Sequence, residues 1–316
     1  MFAVCIESSH QKGMGRLFRA LNFVSCLENK NEKYIIIVND SDEASVILKR
    51  AKINFETADI NDHAKDWETI LIKKHGVNTW VNDRLDTDKA HAQNVKKNNI
   101  KLFTIDDNGS GAEMADINFG SMPCNYNKDL KGKSVKSGID FFILNGDVNR
   151  YKRVRNNKEN IIVTLGGSDT YGVTLNVVKA LKKTGLSATI IIGPSFKHKE
   201  ELWNITAGQF NVKESVPSLV EEMYNYDIAI TGGGITPFEA NASGLPCFVI
   251  ASESHEVDNG KYLQELGSSV FLGYYDQIET LSFPLDRLDV EKMSRAGMDH
   301  IPSNGSDNIY NAIKAL

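Results

Sequence analysis

Residues 161–192 read IIVTLGGSDTYGVTLNVVKALKKTGLSATIII and combine two apolar runs with an amphipathic stretch between them. The runs 161–164 and 188–192 predict strands, and apolar positions at helical spacing predict a helix over 174–183. Strand, helix, strand at this rhythm indicates a parallel sheet with crossover helices. The strands are apolar without alternation, as expected when both faces of a sheet are covered. This stretch therefore predicts an α/β fold.

The same rhythm extends over the rest of the chain, on both sides of a polar segment. Further strands are predicted over 2–6, 34–38, 79–81, 101–105, 227–231, 247–250 and 269–271. Further helical patterns cover 17–27, 41–52, 88–98, 237–242, 261–266 and 307–316. The polar, basic run 151–158 (YKRVRNNK) predicts a solvated connector. We therefore expect two Rossmann-like parallel-sheet domains, 1–150 and 151–316, which face an interdomain cleft where ligands bind.

Composition narrows the class of protein. Of the 316 residues, 41% are hydrophobic and 24% are charged, which is typical of a soluble globular chain. Lys and Arg number 36 against 41 Asp and Glu, so a dedicated nucleic-acid binder is not expected. No apolar run approaches the roughly 18 residues that span a bilayer. The apolar start of the chain is too short for a signal peptide and lacks a basic beginning.

The cysteines and histidines are scattered along the chain. Cys5, Cys26, Cys124 and Cys247 are isolated, without a C-x-x-C motif, which predicts a reduced, cytoplasmic protein. The seven histidines include no H-E-x-x-H motif, so the spacing predicts no metal site. No cofactor is expected either.

Three glycine-rich loops each follow a predicted strand and precede a predicted helix. They are 13–19 (GMGRLFR), 166–169 (GGSD) and 232–236 (GGGIT). Glycine lets the backbone approach a ligand closely, and the following helix presents free N–H groups and the positive end of its dipole. None of the loops is a P-loop, and the first has Phe18 where G-x-G-x-x-G needs its third glycine. Any one of them is explained by turn geometry, but three in matching positions predict a phosphate-bearing ligand.

Glu239 lies three residues after Thr236, at the start of a predicted helix. One interpretation is a capping box, in which Thr236 caps the helix and Glu239 reaches back to the cap. The other is a carboxylate that accepts hydrogen bonds from both ribose hydroxyls of a nucleotide. The adjacent glycines favour the second interpretation.

A series of motifs runs along nearly the whole chain: ESS at 7–9 with 13–19, VND at 81–83, IDD at 105–107, ADI at 115–117, 138–144, TLGGSD at 164–169, and TGGGITPFEANASGLP at 231–246. Taken in this order, the motifs resemble those of GT-B nucleotide-sugar enzymes, and the last motif is the most specific. The family that the sequence resembles most is the UDP-2,4-diacetamido-2,4,6-trideoxy-β-L-altropyranose hydrolases of pseudaminic acid synthesis, with the related spore-coat polysaccharide proteins. More distantly, the chain is similar to the N-acetylglucosaminyltransferase that makes lipid II.

The resemblance implies roles for particular residues. The nucleotide is expected in the second domain, with the ribose on the Glu239 carboxylate. Its other expected contacts are Gly166, Gly167, Ser168, Gly233, Gly234, Ile235 and Thr236. The first domain would offer the sugar and acceptor side through Gly13, Gly15 and Arg16. His255 matches a position that faces the sugar, and Arg19 either snorkels from its helix or reaches a phosphate.

One position departs from the family pattern. The hydrolases carry G-x-G-H-x-x-R, whose histidine is their expected base, and Arg16 stands at that position here. Arginine has no acceptor lone pair and cannot take a proton from water, although it can stabilise a leaving diphosphate. His10, Glu7 and Asp83 remain alternative bases. Asp106 and Asp107 could bind a sugar hydroxyl or a metal, or they could cap the next turn.

The missing histidine favours transfer over hydrolysis. The sequence therefore predicts a glycosyltransferase that uses a UDP-sugar and a glycan or sugar acceptor, in surface glycan or nonulosonic acid biosynthesis. The alternatives are a UDP-sugar hydrolase of the pseudaminic acid pathway and a non-catalytic protein that binds a sugar nucleotide.

Overall fold

The computed structural model describes residues 1–8, 15–122, 129–214, 216–278 and 280–316. It contains two compact units: unit 1 comprises Met1–Gly146 and Asn304–Leu316, and unit 2 comprises Asp147–Ser303. The sequence prediction had assigned all of 151–316 to the second domain. The C-terminal helix belongs to unit 1 instead, because Ile309 and Ile313 are buried in the hydrophobic core of that unit.

Strands and helices alternate along unit 1. They are β1 (Phe2–Ile6), α1 (Gly15–Asn29), β2 (Tyr34–Asn39), α2 (Asp42–Arg50), β3 (Phe55–Ala58), α3 (Trp67–His75), β4 (Thr79–Asp83), α4 (Lys89–Lys96), β5 (Lys101–Ile105), β6 (Ile117–Gly120) and β7 (Val135–Ser137). Short 3-10 helices cover His63–Lys65, Ala112–Met114 and Ile139–Phe141.

Among the described residues of unit 1, the strands form one sheet in the order β3-β2-β1-β4-β5-β6-β7. The strands are parallel; Val4 of β1, for example, pairs with Ile36 of β2 and Val81 of β4. Successive residues of a strand point to opposite faces. Val4 accordingly joins one hydrophobic core and Cys5 joins a second core on the other face. Coverage of both faces explains why these strands are apolar without alternation.

Unit 2 repeats this alternation. It contains the 3-10 helix Gly146–Tyr151 (which begins at the unit boundary), β8 (Ile161–Thr164), α5 (Val173–Lys183), β9 (Thr189–Ile192), α6 (Lys199–Thr206), β10 (Asn211–Glu214), α7 (Leu219–Met223), β11 (Ile228–Gly232), α8 (Thr236–Ala242), β12 (Cys247–Ala251), α9 (Ser254–Glu265), β13 (Ser269–Tyr274), the 3-10 helix Leu285–Arg287 and α10 (Val290–His300). The C-terminal helix of unit 1 is α11 (Gly305–Lys314).

In the described part of unit 2, parallel strands form one sheet in the order β10-β9-β8-β11-β12-β13. Numbered within the unit, this is the order 3-2-1-4-5-6 of the Rossmann fold. The first six strands of unit 1 have the same order. The predicted α/β class with two Rossmann-like units is therefore confirmed.

Candidate functional site

The two glycine loops of unit 2 lie side by side at the point where the strand order reverses. β8 is flanked by β9 and β11, so the chain turns in opposite directions after β8 and after β11. Ligands of such sheets bind at this switch point, outside the carboxyl ends of the strands. Thr164 pairs with Thr231, and a Cβ on Gly232 would lie 3.7 Å from the carbonyl oxygen of Leu165. The predicted nucleotide residues of both loops therefore start from neighbouring positions.

The first glycine loop, residues 165–172, is fixed by main-chain packing. Gly166 has φ +90°, a conformation that glycine adopts readily, and it is exposed. The turn after β9 packs directly against Gly167. The Ser195 N–H donates to the Gly167 carbonyl at 3.0 Å, and a Cβ on Gly193 would lie 2.3 Å from that oxygen. Gly166, Gly167 and Ser168 therefore lie on a loop whose backbone position is set by its neighbours.

The start of α5 differs from the expectation that it would present free N–H groups. The Asp169 carboxylate accepts hydrogen bonds from the Val173 and Thr174 N–H groups, both at 2.8 Å. Asp169 is buried, so a protein carboxylate already occupies the positive end of this helix. A phosphate bound here would have to use the loop before Asp169.

The second glycine turn, residues 232–235, packs against α9. A Cβ on Gly233 would lie 2.7 Å from the Cβ of Glu256, and Asn259 Nδ2 donates to the Gly233 carbonyl at 2.9 Å. Burial raises the pKa of Glu256, although backbone N–H groups, among them that of Ser252 at 2.8 Å, act in the opposite direction. Gly233 is therefore required because its Cα lies close to the Cβ and the main chain of Glu256.

Glu239 lies in the first turn of α8 and is partly exposed. Ile235 occupies the cap position, and its side chain makes no cap hydrogen bond. The capping box is not formed, because Thr236 is the first residue of the helix rather than its cap. The ribose interpretation of Glu239 stays a prediction.

His255 lies on α9, which begins seven residues before the predicted helix 261–266. It is exposed in the first turn of the helix, at the carboxyl end of β12. Glu253 and Glu256 form a capping box around this turn. The start of the helix was not predicted, because it is polar and has no apolar residues at helical spacing. His255 therefore lies on the same edge of the sheet as the glycine turns, beside the glutamate that contacts Gly233.

In unit 1, the residues predicted for the sugar side follow β1. His10 and Gly13 lie outside the described residues. Gly15 begins α1 and is exposed, and Arg16 is partly buried. The Arg16 guanidinium donates to the Glu7 carbonyl at 3.3 Å. Arg16 is therefore placed at the carboxyl end of β1, next to the switch point between β1 and β4.

Arg19 is buried, and it neither snorkels nor reaches an open surface. Its Nε donates to Asp83 at 2.6 Å, a second nitrogen bonds the other Asp83 oxygen, and a third donates to Asp106 at 2.6 Å. Burial alone would lower the pKa of Arg19, but the two carboxylates outweigh it and raise the pKa. Both oxygens of Asp83 therefore accept hydrogen bonds from Arg19 in a buried cluster, and the role of Asp83 as a base stays a prediction.

Asp107 fixes the loop after β4. Its carboxylate accepts from the Thr87 and Gly109 N–H groups, both at 2.9 Å, and from the Thr87 hydroxyl. Burial raises the pKa of Asp107, and these hydrogen bonds oppose that shift. The capping interpretation of Asp107 is confirmed. In the described part of the chain, no group of three or more His, Cys, Asp or Glu side chains could hold a metal ion.

Three residues of the site were missed by the sequence analysis: Asp169, Gly193 and Glu256. Asp169 had a local signal, because an aspartate shortly before a helix is a typical cap. The sequence contained no signal for Gly193 or Glu256, because each contacts a glycine of a loop that is distant in the sequence.

Among the described residues, no helix is long and apolar enough to cross a membrane.

No protein-family model matches the chain. An uncharacterized protein of Methanocaldococcus jannaschii, MJ1062, is 27% identical over 271 residues, which cover 78% of this chain and 55% of the relative. The spore coat polysaccharide biosynthesis protein SpsG of Bacillus subtilis is 25% identical over 165 residues, or 49% of each chain. The chain thus spans about half the length of the curated relatives it matches.

Solved structures match the fold over the whole chain. MurG of Acinetobacter baumannii has a TM-score of 0.69 at 14% identity and covers 100% of this chain and 99% of its own. MnaA of S. aureus, solved with UDP, has a TM-score of 0.62 at 17% identity and covers 99% and 96%. The chain therefore has the GT-B fold. The narrower resemblance to the pseudaminic acid hydrolases stays a prediction.

Proposed function

We propose that this chain is a glycosyltransferase that uses a UDP-sugar and acts in the biosynthesis of a surface glycan. One observation carries the proposal: two glycine loops emerge side by side at the switch point of a Rossmann-type sheet, and Glu239 lies in the helix turn that follows the second. An exposed main chain for the diphosphate and a carboxylate for the ribose are what a nucleotide sugar needs.

The nucleotide half of the proposal concerns unit 2. Gly166, Gly167 and Ser168 contribute the first loop, and Gly234 and Ile235, both partly exposed, contribute the second. Backbone N–H groups of these loops donate to the phosphate oxygens. The two oxygens of Glu239 accept hydrogen bonds from the two ribose hydroxyls. The structural similarity to MnaA, which was solved with UDP, supports uridine as the base.

The chemical half concerns unit 1. In the proposed reaction an acceptor hydroxyl attacks the anomeric carbon, the bond from that carbon to the diphosphate oxygen breaks, and UDP leaves. Arg16 stabilises the negative charge on the leaving diphosphate. Because Arg16 cannot remove a proton and Asp83 is held by Arg19, the hydroxyl proton passes to His10 or Glu7. The similarity to SpsG supports a surface polysaccharide as the product.

Glu239→Gln tests the nucleotide half directly. The amide keeps the size of the side chain but offers one acceptor and no charge, so we expect UDP affinity to fall about 10- to 100-fold by calorimetry. Glu265→Gln, an exposed change at the far end of α9, is the matched control and should leave UDP affinity unchanged. Equal affinity of Glu239→Gln and wild type would contradict the ribose assignment.

Turnover separates the reaction classes. Incubation with a panel of UDP-sugars should release UDP only when a glycan or sugar acceptor is present. Release of UDP and free sugar in water alone would indicate the hydrolase instead. Binding without turnover under either condition would indicate a non-catalytic sugar-nucleotide protein.

A further inference from the structure

The segment 151–158, here called the basic strap, is not the solvated connector that its composition predicts. The side chains of Arg153, Arg155 and Lys158 bind main-chain carbonyls of unit 2. Arg153 donates to the Tyr224 and Tyr226 carbonyls, both at 2.8 Å, and Lys158 donates to the Leu285 carbonyl at 2.8 Å. The strap is therefore bonded to the unit along much of its length.

Arg155 is the buried centre of the strap, with 0% of its surface exposed. Its Nε donates to the Tyr226 carbonyl at 3.3 Å, and its terminal nitrogens donate to the Met223 carbonyl at 3.2 Å and to the Ser243 carbonyl. Burial lowers the pKa of Arg155, and the nearby Arg153 cation acts in the same direction. A buried cation bonded to carbonyls ties its neighbours together tightly, since each lost bond leaves a buried polar group unpaired.

Two of these carbonyls belong to helix ends. Met223 is the last residue of α7, and Ser243 is the C-cap of α8. The last carbonyls of a helix lack partners within the helix and carry the negative end of its dipole. One guanidinium therefore satisfies the C-terminal ends of two helices at once. Its planar fork of donors suits this arrangement, and a lysine ammonium does not reproduce it.

The contacts around the end of α8 leave little room for adjustment. The Arg155 N–H donates to the Ser294 hydroxyl at 3.0 Å, and that hydroxyl donates to the Gly244 carbonyl at 2.5 Å. A Cβ on Gly244 would lie 2.4 Å from the Arg153 carbonyl oxygen. The strap, the end of α8 and α10 are thus held together by main-chain atoms and the Ser294 hydroxyl.

The first turn of α8 carries the proposed ribose contact. The helix has seven residues and is about 10 Å long. An element this short moves as a rigid body, so a shift at Ser243 displaces Glu239 one turn away.

We propose that Arg155 is a positioning residue, which holds α8 so that Glu239 meets the ribose of the bound nucleotide. This inference rests on the proposed function. Arg155 itself touches neither nucleotide nor sugar, and it acts through the helix.

A double-mutant cycle tests this coupling. UDP affinity is measured by calorimetry for wild type, Arg155→Lys, Glu239→Gln and the double variant. We expect Arg155→Lys to weaken UDP binding about tenfold in the wild-type background, but less than about threefold when Glu239 is already Gln. Lys158→Met, in the same strap but bonded away from α7 and α8, is the control and should change affinity less than about twofold. Equal losses in both backgrounds, or no loss, would overturn the proposal.

Hydrogen exchange tests the same coupling without nucleotide. Arg155→Lys should raise the exchange of residues 236–242 about tenfold while residues 173–183 of α5 stay unchanged. Ser294→Ala removes the second anchor of the strap more gently, and it should act in the same direction. Unchanged exchange over 236–242 in both variants would overturn the positioning role. Loosening of α8 in a protein that binds no UDP would refute the proposed function, while the conclusion that Arg155 holds α8 in place would stand.

Discussion

The carboxyl edges of the two sheets share one strand order but are held by different chemistry. In unit 1, side-chain charges bind the edge together: Arg19 joins α1 to the ends of β4 and β5 through Asp83 and Asp106. In unit 2, glycines hold the edge together, because they have no Cβ and let the main chain pack closely. Gly193 packs against Gly167, and Gly233 packs against Glu256. The same topology therefore predicts where loops meet but not what joins them. The Arg19 contacts should be sensitive to loss of charge and the Gly193 contact to added volume.

The largest effect is expected from Arg19→Met. Removing the guanidinium leaves Asp83 and Asp106 buried without their cation, which should lower the free energy of unfolding by about 3–5 kcal/mol. Trp67 and Trp80 lie in unit 1 and Trp203 in unit 2, so urea unfolding followed by fluorescence in a Trp203→Phe background reports on unit 1.

Lys89→Met provides the control for Arg19 within unit 1. It breaks an exposed ion pair with Glu113 at 4.0 Å and should change the free energy of unfolding by about 0–1 kcal/mol. If Arg19→Met had no larger effect than this control, the contrast between the two edges would fail.

A smaller effect is expected from Gly193→Ala. The added Cβ would lie 2.3 Å from the Gly167 carbonyl oxygen, so the two loops must separate. We expect a loss of about 1–3 kcal/mol in the free energy of unfolding of unit 2, measured through Trp203. Gly232→Ala, whose Cβ would meet the Leu165 carbonyl oxygen at 3.7 Å, is the matched control and should stay within about 0.5 kcal/mol. Equal stability of the two variants would show that main-chain packing does not hold this edge.

The smallest effect concerns pH. Glu68 is buried against His91, with Oε1 and Nδ1 at 2.9 Å, and against Asn94 at 3.1 Å. Burial raises the pKa of Glu68, but the bonds from His91 and Asn94 outweigh it, and the pKa lies below the usual 4.5. The resulting stability is present above pH 4.5 and is lost as the pH falls through the lower, folded-state value.

Glu68→Gln removes the pH-dependent stability that the Glu68 carboxylate contributes. Between about pH 5 and pH 3, the free energy of unfolding of unit 1 should therefore fall less steeply in the variant than in wild type. The slopes should differ by less than one proton, or about 1.4 kcal/mol per pH unit. Urea titrations at fixed pH values measure the slopes, and parallel curves would show that Glu68 does not couple the stability of unit 1 to pH.

Buried, regular elements could be predicted from the sequence. The predicted strands 161–164 and 101–105 coincide with β8 and β5, and the predicted helix 237–242 lacks only the first residue of α8. Apolar runs in the sequence indicate these elements, because both faces of each strand are covered. Edge strands such as β7 were missed, since all of its residues are exposed and its sequence VKS carries no apolar pattern.

Charged residues that become buried could not be predicted. Composition places Arg155 in solvent, whereas its partners are carbonyls at helix ends, and Ser243 lies 88 residues further along the chain. Arg19 likewise meets Asp83 and Asp106 only after the sheet has formed. The glycine loops themselves could be located, because each follows an apolar strand. The sequence does not show which N–H groups near these loops are already bonded. The Asp169 carboxylate, for example, reaches the Val173 N–H only in the folded loop.

The return of α11 to unit 1 bears on the order in which the protein is made. Ile309 and Ile313 complete a core whose other members lie mostly before residue 146. As the chain leaves the ribosome, all of unit 2 emerges before the last helix of unit 1. Unit 1 is thus translated first but completes its hydrophobic core last. Until then, its apolar surface is open to chaperones and to misassembly.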